Sequence, residues 1–234
     1  HNASFGMHQK DLMYVIGKIA PKQILLAGDM VISKRGRLRR DAALELIKEL
    51  TGRYPVCAVN GNHECRMEEY ASSYGTAGTE WMEQVQEFGV RLLRNERYDL
   101  DINHAKLSLF GYEPAWKYYC KGRGPVMHTE EMDAVLGRPD RERFNILLAH
   151  HPGYFETYAS WGANLTLSGH VHGGMIRLPL LGGVIGPDLI PFPKYDHGRY
   201  VIGNRTMIVS AGLAGHSMQF RVNNPPEVVV LDVV

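Results

Sequence analysis

Leu165-Thr166-Leu167-Ser168-Gly169-His170-Val171-His172-Gly173-Gly174 is the stretch from which the rest of this chain is best read. Its apolar opening, Leu165 to Leu167, predicts a short strand. Ser168 and Gly169 end the strand, and His170 and His172 follow with one residue between them. In extended backbone, residues i and i+2 face the same side. The two imidazoles are therefore expected to reach into one space, one toward each of two neighbouring metal ions. Gly169, Gly173 and Gly174 let backbone pass close to a charged centre with no Cβ in the way. Taken alone, the same ten residues read equally well as a surface loop carrying two histidines. Other strand ends decide between the readings.

Three more apolar runs end in ligand-type side chains. Residues 23–27 run into Gly28 and Asp29, residues 55–59 into Gly61, Asn62, His63 and Glu64, and residues 144–149 into His150, His151 and Pro152. Ligands in open α/β sheets gather beyond the carboxyl ends of strands. Carboxylate, amide oxygen and imidazole together suit borderline divalent ions such as Mn, Zn, Fe or Ni. No cysteine stands at these positions, which argues against a structural zinc site. Two ions about 3.5–4 Å apart would hold a hydroxide and clamp a phosphoryl group from both sides. Asp29 is the natural bridge between them, having two oxygens to share. Singly, each residue has a plainer role: Asp29 and Asn62 as turn residues, His150 as a buried hydrogen-bonded histidine. His151 is expected to point away from His150 and to be structural.

Between these points the pattern alternates. Helical spacing of Leu12, Val15, Ile16 and Ile19 predicts a helix over 10–20, stopped by Pro21. A second helix is expected over 41–50 with Asp41 at its N-cap and Gly52 closing it. Further helices are expected over 79–88 and 130–136, and strands over 97–102 and 106–112. Three closing strands are expected over 198–203, 206–211 and 228–233. Alternating strand and helix implies a mainly parallel sheet, and the strand-only tail implies a second sheet. The expected fold is α/β, a four-layer αββα sandwich of two mixed sheets flanked by helices, as one domain over residues 1–234.

Totals exclude several classes. The chain has 234 residues, a net charge of +1 and 44% hydrophobic residues, so no global field points to nucleic acid. No apolar run approaches the roughly 18 residues a membrane span needs. Three cysteines, Cys57, Cys65 and Cys120, fit free thiols better than a disulfide framework.

The four stretches, in this order, resemble the calcineurin-like metallophosphoesterases, whose pattern is D-x-H, GD, GNH[DE], H-x-P and GHxH. Here the last four read Gly28-Asp29, Gly61-Asn62-His63-Glu64, His150-His151-Pro152 and Gly169-His170-Val171-His172. The tail, with Phe192-Pro193-Lys194-Tyr195-Asp196 and Asn224-Pro225-Pro226-Glu227, is similar to a bacterial branch of envelope-associated phosphodiesterases of the YkuE and YaeI type. The resemblance implies two divalent metal ions. One would be held by His1, Asp29 and His172, the other by Asp29, Asn62, His150 and His170. His1 resembles the histidine of D-x-H, and the family's aspartate would lie two residues before it. The expectation is therefore an N-terminally trimmed catalytic domain. His63 would donate a proton to the leaving oxygen or neutralise phosphoryl charge. Glu64 would orient His63 from behind, or serve as an acid at a helix N-terminus.

Three stretches stand apart. Lys34, Arg35, Arg37, Arg39 and Arg40 form a basic run that reads as a solvated loop or as an attractor of an anionic substrate or anionic lipid. Trp116, Tyr118 and Tyr119 pack in an irregular loop or stack on a base or sugar. Residues 175–192 are too apolar for an idle loop, and either pack on the second sheet or touch lipid.

The function expected is hydrolysis of a phosphodiester or pyrophosphate bond by metal-bound hydroxide, in a small-molecule or lipid-linked metabolite of the cell envelope. A phosphatase or nuclease acting on nucleotides and a catalytically silent metal-binding module are the alternatives. No specific nucleic acid is expected as partner. Peripheral membrane contact is admitted, with the cytoplasm as the alternative location.

Overall fold

Apolar residues recurring every three to four positions build the helices of the first part of the chain. The computed structural model describes residues 2–102, 104–174, 176–178, 182–187, 189–215 and 221–233. It divides into two compact units, residues 1–92 and 93–234.

In the first unit, α1 (Lys10–Ile19) buries Leu12, Met13 and Ile16. Strand β1 (Ile24–Leu26) follows, then a hairpin of β2 (Ile32–Lys34) and β3 (Arg37–Arg39), which sequence periodicity did not predict. Helix α2 (Asp41–Thr51) buries Ala43, Leu46, Ile47 and Leu50, one stripe at i, i+3, i+4 and i+7. Its N-cap is Arg40, with no side-chain capping bond, so Asp41 does not cap it as expected. Instead, Asn2 Oδ1 accepts from the Ala42 and Ala43 amides at 2.9 and 3.3 Å. A side chain remote in sequence has taken the capping role. Strand β4 (Val56–Ala58) is buried throughout and leads into α3 (Asn62–Glu69), α4 (Ala71–Tyr74), α5 (Ala77–Glu87) and β5 (Arg91–Leu92). The three strands form a parallel sheet in the order β1-β4-β5, with Leu26 opposite Ala58 and Cys57 opposite Arg91.

The second unit is built on a six-stranded mixed sheet. Its strands are β6 (Glu96–Ile102), β7 (Ala105–Tyr112), β8 (Phe144–Ala149), β9 (Leu165–Ser168), β12 (Gly198–Ile202) and β13 (Arg205–Val209). The order is β12-β13-β9-β8-β7-β6, parallel in the middle and antiparallel at both ends. Helices α6 (Thr129–Leu136) and α7 (Phe155–Trp161) bring Met132, Tyr158 and Trp161 into a core with Phe110 and Leu147. Phe110 meets Trp161 edge-on at 5.0 Å. The short hairpin of β10 (Arg177–Leu178) and β11 (Gly182–Gly183) follows the glycine-rich turn after β9.

Two expectations are corrected. Residues 170–172 are not extended: His170 and His172 have φ of 67° and 54°, so the segment is a tight turn. Residues 228–233 form no strand, and Val230 is 52% exposed. A β-branched run becomes a strand only where an edge offers paired donors and acceptors. Met175, Leu180 and Leu181 of the apolar loop, and His1, lie outside the described residues. In the described part of that loop, Leu189 and Phe192 are exposed.

Candidate metal centre

In the first unit the candidate ligands are held by a net of backbone amides. Gly28 and Asp29 take φ of 87° and 56°, turning the chain sharply after β1. Asp29 is 5% exposed, and its Oδ1 accepts from the His63 amide at 2.9 Å. Gly61 stands against it: a Cβ there would lie 2.3 Å from Asp29 Oδ1. Only glycine permits this approach, which explains the Gly before Asn62. Asn62, 7% exposed, opens α3, and His63, 3% exposed, follows it.

Of its two expected roles, Glu64 takes that of an acid in the first turn of a helix, α3. Its Oε2 accepts from the Asp29 and Gly61 amides, both at 2.9 Å, and its Oε1 from the Val31 amide at 3.1 Å. It thus fastens the Asp29 turn to the start of α3. The group on His63 is Ser33, which had no signal in the sequence. The Ser33 amide donates to His63 Nδ1 at 2.9 Å, and its hydroxyl donates to the His63 carbonyl at 2.6 Å. With Nδ1 accepting, the neutral ring carries its proton on Nε2.

In the second unit, His150 follows β8 directly and is 1% exposed. Its carbonyl accepts from the Gly169 amide at 3.1 Å, which ties the ends of β8 and β9. The rings of His150 and His170 meet edge-on at 5.2 Å. His151 does not point away as expected: its ring lies 4.4 Å from that of His170, and its Nδ1 accepts from the Gly153 amide at 3.0 Å, capping a short 3-10 helix. Tyr119 lies 6.3 Å from His150 and 6.0 Å from His170, ring centre to ring centre. Of the three aromatics singled out, Tyr118 is buried in the core and Tyr119 reaches the histidines.

The turn that carries His170 and His172 is costly. Positive φ in a histidine costs on the order of 1–3 kcal/mol. Surrounding groups over-determine it. The buried amide of Asn224 donates to the carbonyls of His172 and Gly174 at 2.5 and 2.8 Å. Arg177 Nη1 bridges the Gly173 carbonyl and Asp196 Oδ2, each at 2.9 Å. Asp196 also accepts from the Gly183 amide and the Tyr200 hydroxyl. Burial pushes its carboxyl up, but Tyr200, Gly183 and Arg177 together outweigh burial and hold it below the ordinary value. One step further, Glu227 accepts from the Ala211 amide at 2.7 Å and meets His197 Nε2 at 2.8 Å. The two tail motifs, around Asp196 and Asn224, are thus the parts that hold the histidine turn.

Fit to divalent ions is tested by the donor set itself. Asp29, Asn62, His150 and His170 are all buried, all hard or borderline donors, and all stand just beyond strands. Burying such groups is unfavourable unless a charge or donor compensates them. Asp29 and Asn62 in the first unit, and His150 and His170 in the second, are each of a chemistry that suits a divalent cation.

Comparison with known proteins agrees with this chemistry. The family model "Calcineurin-like phosphoesterase" matches residues 7–174. The uncharacterized metallophosphoesterase YkuE of Bacillus subtilis is 26% identical over 94% of this chain and 71% of its own length. The phosphodiesterase YaeI of Escherichia coli is 28% identical over 92% and 71%. Among solved structures, an archaeal phosphodiesterase is similar over 86% of this chain and 74% of its own, with a TM-score of 0.39 and 10% identity.

Proposed function

This chain belongs to the calcineurin-like phosphoesterase family and is a metal-dependent phosphoric ester hydrolase, and from that premise we propose a two-metal phosphodiesterase acting on a phosphodiester or pyrophosphate-linked metabolite of the cell envelope. Asp29, Asn62, His150, His170 and His172, with His1, would hold the ions. When bound, the ions supply Lewis-acid activation of water and neutralise charge on the phosphoryl group. The chain's own residues do the rest. Glu64 keeps the Asp29 turn and Asn62 in register through three amides. Ser33 holds the His63 ring so that Nε2–H is the end offered to the leaving oxygen. Tyr119 lies beside the imidazoles.

The observation that supports this most is the burial of four unlike ligand residues, each just past a strand end. A metal analysis, with a panel of chromogenic mono- and diesters, tests it. Two ions per chain and preference for diesters are expected. Full turnover with Asp29→Ala, or full turnover on exhaustive chelation, would refute it. Tyr119 supports a second reading, in which the planar group of a nucleotide diester stacks there. A faster rate on nucleotide diesters than on alkyl diesters, lost in Tyr119→Ala, would select that reading.

A further inference from the structure

The basic run is not a solvated loop. It is a two-residue hairpin, β2 and β3, closed by Arg35 and Gly36 at φ of 50° and 71°. Its register places Lys34 opposite Arg37, Ser33 opposite Leu38 and Ile32 opposite Arg39. Alternation then divides its side chains between two faces. Ser33 and Leu38 take one face, and Ser33 there is fully buried against His63. Lys34, Arg37 and Arg39 take the other face, all exposed, and Arg35 extends the same charge over the turn.

This ribbon is fixed at both ends. At its base, Ser33 bonds to His63, and Arg66 Nη1 donates to the Ser33 carbonyl at 2.7 Å. At its tip, a Cβ on Gly36 would lie 3.4 Å from the Ser73 carbonyl oxygen, so the turn lies close against α4. The held backbone keeps the cations on neighbouring positions of one hairpin. Lys34 and Arg37 face one another directly, an arrangement that destabilises a hairpin. Neighbouring Arg40 pairs with Glu80, whereas none of the four tip cations makes an ion pair among the described residues. The chain as a whole is nearly neutral at +1, so this is local concentration of charge, not general basicity.

Three exposed cations on one face, with a fourth at the turn, fit an external anion. Their spread decides which kind. Successive positions on one face of a strand lie about 7 Å apart, and the partner strand adds about 5 Å across. Such a ribbon fits many shallow negative charges spread over a plane, not one phosphate. We propose that the outward face of the β2–β3 hairpin is a docking surface for a bilayer rich in anionic phospholipid. Because Ser33 grips His63 from the opposite face, membrane capture and the candidate proton donor share one rigid element. Vesicle binding itself requires no metal and stands or falls apart from the two-metal reading.

The test is co-sedimentation of the full chain with vesicles of phosphatidylcholine alone, and with about one third phosphatidylglycerol, at low and high salt. Binding to the anionic vesicles only, weakened by salt, is expected. Each Lys or Arg near an anionic surface is worth about five-fold in affinity, so changing all four to Gln should weaken binding by roughly 10²–10³-fold. Circular dichroism and thermal melting of the variant show whether it has folded. If it has not, the single changes Lys34→Gln and Arg37→Gln, each expected to lose about five-fold, take its place. Equal binding to neutral vesicles, no binding at low salt, or unchanged binding by a folded variant would overturn the proposal. Displacement by millimolar inorganic pyrophosphate at constant ionic strength would also overturn it, showing a small-anion site instead.

Discussion

Glu64 lends itself to a quantitative prediction, because its surroundings separate two roles that sequence alone left open. The carboxylate is 4% exposed and accepts from the amides of Asp29, Val31 and Gly61. A hydrogen bond to a charged group contributes about 1.5–3 kcal/mol, and a buried donor left without an acceptor costs about 1–3 kcal/mol. Glu64→Ala removes the acceptor for all three amides, while relieving the cost of burying a charge. A net loss of about 3–5 kcal/mol follows, the scale for breaking a buried charged contact. Glu64→Gln keeps one acceptor oxygen, which can still serve Asp29 and Gly61. Its NH2 group then faces the Val31 amide, donor against donor, for a loss of about 1.5–3 kcal/mol. At roughly 2–4 °C per kcal/mol, the melting temperature should fall by about 6–20 °C for Ala and about 3–12 °C for Gln. Calorimetry and urea titration in the presence of a chelator measure this without interference from metal loss. A Glu64→Ala protein within about 1 kcal/mol of the parent would refute the reasoning. So would unchanged stability with a collapse in turnover, which would mean that Glu64 serves His63 after all.

Other outcomes follow from the same contacts. His63→Ala should keep its metal content by elemental analysis while turnover falls by roughly 10²–10⁴, the scale of lost general acid catalysis; a metal-free variant would contradict the role. Asn224→Ala and Asn224→Asp both remove the donors to His172 and Gly174, and should weaken metal binding by roughly 10–100-fold; if Asp matches the parent in calorimetric titration with Mn²⁺, the amide donors are not what matters. In Asp196 and Glu227 burial raises the carboxyl, but hydrogen bonds and opposite charges bring both below their ordinary 3.8 and 4.5. Their contribution to stability is therefore present above those ordinary values and lost as pH falls through the lower folded values. Stability should drop on acidification below about pH 4.5, and Asp196→Asn should flatten that drop in acid titrations followed by circular dichroism. Burial pushes the Cys57 thiol up to about 11, so a thiol reagent near neutral pH should label exposed Cys120 quickly and Cys57 only on unfolding.

Much of this protein was legible in the chain alone. Apolar runs of three to six residues ending in Gly-Asp, Gly-Asn-His, His-His-Pro or Gly-His identified β1, β4, β8 and β9 and the candidate ligand residues after them. Helical spacing located α1, α2, α5 and α6 to within a few residues, because a stripe every 3.6 residues is a local property. Local pattern failed wherever a partner distant in sequence decides the outcome. The β2–β3 hairpin is polar along its outer face, so no apolar alternation marks it; Ser33 pairing with His63, thirty residues on, determines which side turns inward. The run at residues 228–233 has the composition of a strand but pairs with none among the described residues. Asp41 has the right chemistry for an N-cap, but Asn2 reached the amides. His170 and His172 stood out as candidate ligands, yet not as turn residues. Their positive φ persists only because Asn224, Arg177 and Asp196 hold the carbonyls around them. Residue type and spacing therefore determined the elements and the chemistry, both set within a few residues of chain. Tertiary structure decided which amides, hydroxyls and carbonyls hold Asp29, His63 and His172, because their partners Glu64, Ser33 and Asn224 lie 35, 30 and 52 residues away, where periodicity carries no signal.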